Sequence, residues 1–514
     1  MSVFSLEVAK TNPVDGRVLD ENLATLGVSV KEEEKDDYQR LLAVFHESVV
    51  ELVSLPDYVP PVDEERFPRE DIRFPEASDN PLGAWAWRCR VEDKTRNGGL
   101  LAGKKIAIKD NIAVKGVPML LGTDFVKNYV PSTDATCVTR LLRAGAIIEG
   151  KSVCENMCHS ATSSSSSTGH VHNPYAKGYS SGGSSSGSGA LVSNGDVDMA
   201  LGADQGGSIR VPAGSNEPTN DYVGPMTRTL LDNALMLQVI SGNDNIDDRS
   251  FPAHTPDNVP KYYHNLIQLK SPKDLSGFKI GILAEAMNQP SVETRVKICV
   301  EAAIQGFREL GATVEEVSIP FHSKGAAIWT AISKTGGYLA KRNLAFGRRG
   351  HAMNDLTQKF QTLTQDQWDS AYVSSKNIYL NGVYAQAAFP GLLGKATNLS
   401  RKLRDDYDRA LSHYDILVAP NLPYVANSHT RYDASPLEKV GKQIGLTANT
   451  APFNQSGHPV LAMPIGMLPI EEGLLAGSGT KLPVSMQLIG KWWHEEDVYR
   501  VAYAWSLQYD WKKM

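Results

Sequence analysis

Apolar residues recur along this chain in two rhythms, and the alternation between them sets the expected architecture. In KEEEKDDYQRLLAVFHESVVELV (31–53), Tyr38, Leu41, Leu42, Phe45, Val49 and Leu52 fall on one helical face. Glu32, Glu33 and Glu34 occupy the opening turn, where the helix field favours acids. Pro56, Pro60, Pro61, Pro68, Pro75 and Pro81 then forbid a long helix, and 54–81 reads as an extended connector. From residue 101 the rhythm becomes strand–helix–strand. KKIAIKDNI (104–112), AIIEG (146–150), GFKIGIL (277–283), ATVEEVSIP (312–320), YDILVAP (414–420) and PVSMQLIG (483–490) are predicted strands. Helices are predicted over 134–144, 229–242, 292–310 and 492–510, and 325–410 is helical and polar-rich.

This alternation predicts an α/β fold: a large mixed β-sheet core covered by helices on both faces, with an N-terminal mostly helical extension. The expected division is 1–90 for the extension and linker and 91–514 for the main domain. No internal repeat of fixed period is present.

Length and composition narrow the function classes. The chain has 514 residues, 41% hydrophobic and 21% charged, the composition of a globular protein. A net charge of −6 offers no extended basic field, which argues against nucleic acid as the main partner. Five scattered cysteines make no disulfide framework and point to a reducing, cytoplasmic setting. No signal peptide and no membrane span are expected.

Chemistry concentrates in the Gly/Ser-rich stretches ATSSSSSTG (161–169), GYSSGGSSSGSGALVSNG (178–195) and GADQGGSIRVPA (202–213). By composition they read as a linker, a ligand-cradling loop or a phosphate site. No Gly-Lys-Ser/Thr follows, so the phosphate-loop reading is weak. GSSSG (183–187) matches a nucleophile elbow around Ser185, but such a match in a Gly/Ser run carries little information.

IAIKDNI around Lys109, GGSSSGSGA (182–190), GADQGGSIRVPA and DYVGPMTRT (221–229) together resemble the amidase-signature family of serine hydrolases. APFNQSGHPVLAMPIG (451–466) and LPVSMQLIG resemble that family's late strands, so the likeness spans about 100–510. The joint spacing is the strong signal, with 75 residues from Lys109 to Ser184 and 24 from Ser184 to Ser208. The resemblance implies a Ser–cis-Ser–Lys triad: nucleophile Ser208, bridging Ser184 and base Lys109. It implies oxyanion donors at Gln205, Gly206, Gly207 and Ser208, with Asp204 and Arg210 supporting the turn.

A serine hydroxyl needs a base to take its proton, and lysine serves only when neutral, so burial must lower its pKa. Asp110 would oppose this, so its side chain is expected to turn to the backbone or solvent. The implied reaction is hydrolysis of a carboxylic amide to acid and amine or ammonia through an acyl-serine, with no metal or other cofactor. The alternatives are carbamate hydrolysis by the same triad, an amidotransferase subunit, and a non-enzymatic Gly/Ser-rich binding module.

The expected partner is a small-molecule amide or carbamate; the N-terminal segment resembles that of larger microbial amidases with a helical extension, and this resemblance implies a homodimer. Met157, Cys158 and His159 fall where the family's chain passes the acyl site; Trp85, Trp87 and Phe389 are further pocket candidates. Cys154, Cys158, His159, His170 and His172 raise zinc, but no C-x2-C pair anchors the set. Between Pro212 and Gly224 the family connection is longer. Either a segment is missing near Asn216–Glu217 or the connection is shortened beside Ser208.

Overall fold

The computed structural model describes residues 5–95, 98–210, 219–344 and 350–514. The chain divides into two compact units, Met1–Pro61 and Val62–Met514. In the first, helix Gly16–Leu26 is capped by Asp15, whose side chain accepts the Val18 N–H, and helix Lys35–Ser54 follows. The buried apolar side chains of this unit are Leu19, Ala43 and Val44 among the described residues. Tyr38, Phe45 and Leu52, expected on an inward face, are exposed instead. Periodicity reports amphipathicity but not what covers it.

The second unit is built on strands β1 (Arg69–Arg73), β2 (Trp85–Val91), β3 (Lys105–Lys109), β4 (Ile147–Ser152), β5 (His172–Asn173), β6 (Ala176–Ser180), β7 (Met199–Asp204) and β8 (Tyr222–Thr227). They continue as β9 (Lys279–Leu283), β10 (Thr313–Val317), β11 (Ile416–Pro420), β12 (Val460–Pro469) and β13 (Lys481–Gly490). The α/β core is mixed. One sheet runs β1-β2-β4-β3-β7-β8, a second runs β10-β9-β11-β13-β12, and β5 and β6 form a short ribbon. In the first, β3 is parallel to β4 and β7, while β1, β2 and β8 join antiparallel at the flanks. Segment 69–91, read from sequence as extension and linker, thus supplies two strands. Its prolines exclude helix but leave the runs between them free to pair.

Strand β3 is buried along Ile106–Lys109, as a parallel strand covered on both faces must be. Ile106 and Ile108 pack on one face with Leu141, Leu142, Met199 and Leu201. Ala107 and Ala200 face Ala190 and Leu191 of helix Ser186–Asn194 on the other. That helix docks closely because Gly187 has no side chain; a Cβ there would lie 2.3 Å from the Ala84 carbonyl oxygen. The second sheet packs Ile280, Val418 and Leu488 against helices Thr294–Glu309 and Glu495–Gln508 on one side. Leu417, Ala419 and Ile489 meet Leu403, Tyr407 and Leu411 of helix Leu392–Leu411 on the other.

The region 325–410 is helical as expected, opening with helix Gly325–Lys341 and closing with Leu392–Leu411. Among the described residues, no helix is long and apolar enough to cross a membrane.

Candidate active site

Parallel strands β3 and β7 are neighbours and end on the same edge of their sheet, the edge at which α/β folds place ligands. Lys109 is the last residue of β3, and Gln205–Ser208 form the turn immediately after β7. Ser184 precedes helix Ser186–Asn194, and the Gly183–Ser184 peptide bond is cis.

Lys109 is fully buried, and its Nζ donates to Ser184 Oγ at 3.1 Å and to the Ala203 carbonyl at 3.4 Å. Burial pulls its pKa below the ordinary lysine value, outweighing the fields of Cys158, Cys154, Asp204 and Asp221. Asp110 turns to the backbone, one of the two arrangements expected from sequence. Its Oδ2 accepts the N–H groups of Leu120 and Leu121, both at 2.8 Å. It stays buried, not solvated, because Lys151 Nζ lies 3.5 Å from Oδ1. Burial raises its pKa against the attraction of Lys151.

Ser208 is half-buried, and among the described residues no hydrogen bond joins it to Ser184 or Lys109. The structure therefore brings Lys109 and Ser184 into contact and sets Ser208 on the adjacent turn. The N–H groups of Gln205, Gly206 and Ser208 meet no acceptor among the described residues. The Gly207 N–H, also expected to face an oxyanion, instead donates to Asp204 Oδ1 at 2.7 Å.

Asp204 organises this turn. Its carboxylate also accepts from the Ile209 N–H at 2.8 Å, from Asn454 Nδ2 at 2.6 Å, and from Arg210 Nε at 3.3 Å. Burial pushes its pKa up, but Arg210, the Ile209 amide and Asn454 outweigh it, and the net shift is downward. Arg210 reaches the second sheet through the Thr450 carbonyl at 2.9 Å and Gln487 Oε1 on β13 at 3.0 Å. Thr450 Oγ1 donates to the Gly206 carbonyl at 2.6 Å, and Trp329 Nε1 to that of Gln205 at 2.9 Å. Both carbonyls are thus held from the second-sheet side of the site. Thr450, Asn454, Gln487 and Trp329 escaped the sequence reading. The only signal was that Asn454 and Gln487 lie in the two late family-like segments.

Glu155 orders the serine run. Its buried carboxylate accepts from Ser164 N, Ser165 N, Ser165 Oγ and Ser186 Oγ at 2.7–3.1 Å, and its N–H donates to the Ser184 carbonyl at 3.1 Å. A linker would leave these groups to water; here they close around one carboxylate.

Met157 and Cys158 are buried and hold positive φ values of 47° and 61°. The Cys158 and Cys154 thiols act electrostatically on Lys109, and burial raises the Cys154 pKa well above the ordinary value. His159 Nε2 is enclosed without a partner among the described residues. His170 stacks on Tyr432 and, with His172, packs against His429. Among the described residues, no group of three or more His, Cys, Asp or Glu is arranged to hold a metal ion. Trp85 is buried in β2 under Arg88, Trp87 packs on Phe74, and Phe389 is exposed. Ser185 Oγ is enclosed and meets neither an acid nor a histidine among the described residues. The expected gap near Asn216–Glu217 lies outside the described residues.

The family model described as Amidase matches residues 83–219 and 215–499, two pieces that meet where the sequence predicts the altered connection. The enantioselective amidase of Rhodococcus rhodochrous is 36% identical over 454 residues, covering 83% of this chain and 84% of the relative. A glutamyl-tRNA(Gln) amidotransferase subunit from Exiguobacterium sibiricum is 32% identical over 432 residues, covering 79% and 84%. Among solved structures, its Thermotoga maritima counterpart matches at a TM-score of 0.59 with 25% identity, covering 79% of this chain and 84% of that one. A bacterial aryl acylamidase shares the fold at a TM-score of 0.66 with 23% identity, covering 81% and 85%. With the family model matched across most of the chain and a 36% identical amidase among its relatives, the chain belongs to the amidase family and is an amidase-signature hydrolase.

Proposed function

We propose that this protein hydrolyses a small carboxylic amide through an acyl-enzyme on Ser208, with Ser184 as proton relay and Lys109 as base. The observation that carries the reading is the 3.1 Å contact between the buried Lys109 ammonium position and Ser184 Oγ. Burial favours the neutral amine, and a hydroxyl can accept from one partner while donating to another. Ser208 Oγ attacks the amide carbonyl as its proton passes through Ser184 to Lys109. The N–H groups of Gln205, Gly206 and Ser208 receive the developing oxyanion, each worth about 3 kcal/mol of barrier in sites of this kind. The relay then returns the proton to the leaving nitrogen, and the C–N bond breaks. Water, activated by the same relay, releases the acid and regenerates Ser208.

Identity with the Rhodococcus enantioselective amidase favours simple hydrolysis over the amidotransfer named in the glutamyl-tRNA(Gln) relatives. A homodimer joined through the N-terminal helices accompanies this reading; the exposed Tyr38, Phe45 and Leu52 support it, and mass in solution tests it. A panel of alkyl amides, aryl amides and carbamates, with acid and amine release followed separately, tests the reaction. A sulfonyl fluoride adduct mapped to Ser208 by mass spectrometry, absent in S208A, tests the nucleophile. Turnover retained in S208A would overturn the assignment.

A further inference from the structure

A buried ion pair lies directly behind the proposed base. Strand β3 alternates its side chains between the two faces of the sheet. Lys109 and its register partner Ser152 on β4 turn to one face, where Lys109 Nζ meets Ser184 Oγ and Ser152 Oγ lies 2.7 Å from Ser188 Oγ. Alternation sends the next residue, Asp110, to the face that carries Ile108. Lys151 is the register partner of Ile108 on β4 and emerges on that same face. There the two charges meet. Lys151 Nζ lies 3.5 Å from Asp110 Oδ1 and donates to the Asp110 carbonyl at 3.3 Å, with both side chains wholly enclosed. The other carboxylate oxygen holds the Leu120 and Leu121 amides, and the Leu121 carbonyl in turn accepts the Met157 N–H at 2.8 Å.

A carboxylate one residue from a lysine is its readiest counterion. On the same face, Asp110 would favour the ammonium form of Lys109 and take the base out of use. Strand β3 ends at Lys109, so the ladder alone does not fix the residue that follows. Lys151 supplies the cation that draws Asp110 to the far face. In keeping with this, the largest fields on Lys109 come from Cys158, Cys154, Asp204 and Asp221, and that of its chain neighbour is not among them. Two thiols share these surroundings. Lys151 acts on Cys89, which burial pushes up to about 12, and Asp110 acts on Cys154, which burial also raises, so neither ionises near neutral pH.

Resting on the hydrolase reading above, we infer that Lys151 is a positioning residue for that reaction: it holds the Asp110 carboxylate on the face of the sheet opposite Lys109, so that the Lys109 amine answers to Ser184 and not to the acid beside it.

The pH profile of kcat/KM in the full chain tests this, on whichever amide of the panel is turned over fastest. In K151M the acid limb is expected to move to higher pH by about one to three units, because Asp110 then favours the protonated amine. In K151M/D110N, which leaves no buried charge unpaired, and in K151R, which keeps the cation, the limb is expected within about half a unit of wild type. An unmoved limb in K151M, or one as displaced in K151M/D110N as in K151M, would overturn the inference. A role in stability alone would lower activity without moving the limb. If K151M does not fold, K151R and K151M/D110N decide the matter: both limbs at the wild-type position support the role, and a displaced limb in either overturns it. K109M separates this inference from the reading beneath it. A limb that persists in K109M removes Lys109 as the base, whereas a limb lost in K109M and unmoved in K151M sinks the role of Lys151 alone.

Discussion

The backbone N–H of Glu155 donates to the carbonyl oxygen of Ser184 across 3.1 Å, while the Glu155 carboxylate gathers Ser164, Ser165 and Ser186. One residue thus holds Ser184 by its main chain and the surrounding serine run by its side chain. E155A would strand two amide N–H groups and two hydroxyls, each costing about 1–3 kcal/mol when buried without a partner. Because a shift near 1 Å can cost about a hundredfold in rate, kcat of E155A is expected to fall about a hundredfold with KM little changed. E155Q, which keeps an acceptor for the amides and can donate to Ser186, is expected within about tenfold of wild type. Steady-state kinetics on both variants checks this, and an E155Q as impaired as E155A would refute the positioning role.

Lys109 gives a pH signature. Its pKa is depressed by burial, so the competent neutral amine is present above a value lower than the ordinary 10.5 and is lost as pH falls through it. The acid limb of kcat/KM should therefore titrate below 10.5. K109M should lose about 10²–10⁴-fold in rate and show no such limb. A wild-type acid limb that persists in K109M would assign it to another group.

Gly206 is pinned by Trp329. A Cβ built there would lie 2.7 Å from the indole, and the same indole N–H holds the Gln205 carbonyl. G206A is expected to push the turn off its donors and lower kcat/KM by about two orders of magnitude. Shortening Trp329 should relieve the clash, so G206A and W329A should couple by about 0.5–3 kcal/mol, with the double variant better than the product of the singles. A double-mutant cycle on kcat/KM reads this directly.

The parts of this site that were legible in sequence are those carried by short local motifs. Lys109, Ser184 and the 204–210 turn each sit in a segment whose glycines and serines betray close packing, and Lys109 and Ser184 do meet. Thr450, Asn454 and Gln487 could not be placed, because their partners lie 240 to 277 residues away and only sheet packing brings them in. The same limit governs the fold. Buried strand β3 announces itself by an apolar run, whereas the N-terminal helix displays a stripe whose covering partner no periodicity can name. Strand β7, MALGAD, is silent in sequence because small residues carry little hydrophobic signal, although all six are buried.

The Asp204–Arg210 pair should be a point of fragility. Both side chains are less than a tenth exposed, and Arg210 also ties the turn to Thr450 and Gln487. R210M leaves a buried carboxylate without its cation, a change that typically costs about 3–5 kcal/mol. The pH dependence should also invert. In the wild type the depressed Asp204 pKa contributes stability that is present above 3.8 and lost as pH falls through the folded value. Without Arg210 burial dominates, the pKa rises, and stability should fall as pH rises from 3.8. Thermal unfolding midpoints at pH 4 and pH 7 distinguish the two slopes.

His322 should govern stability on the acid side. It is fully buried, its Nδ1 lies 2.6 Å from Tyr407 OH, and its Nε2 lies 3.3 Å from Asn449 Oδ1. Asn449 Nδ2 donates to the Ala286 carbonyl, so Oδ1 is the face left for the imidazole, which donates through Nε2 and accepts the Tyr407 hydroxyl at Nδ1. Burial lowers the His322 pKa from 6.5 to about 4, against the smaller upward pulls of Asn449 and Glu285. Below 6.5 the unfolded chain binds a proton that the folded chain refuses, so stability should decline from pH 6.5 and level off near pH 4. At 1.36 kcal/mol per unit this amounts to about 3 kcal/mol. Asn449 is followed by Thr450, which holds the Gly206 carbonyl, so the strain of protonation falls next to the Gln205–Ser208 turn. H322Q removes the titration while keeping a donor and an acceptor. It should be less stable than wild type at pH 7, yet lose less between pH 6.5 and 4 in urea unfolding, and parallel acid limbs in the two proteins would place the dependence elsewhere.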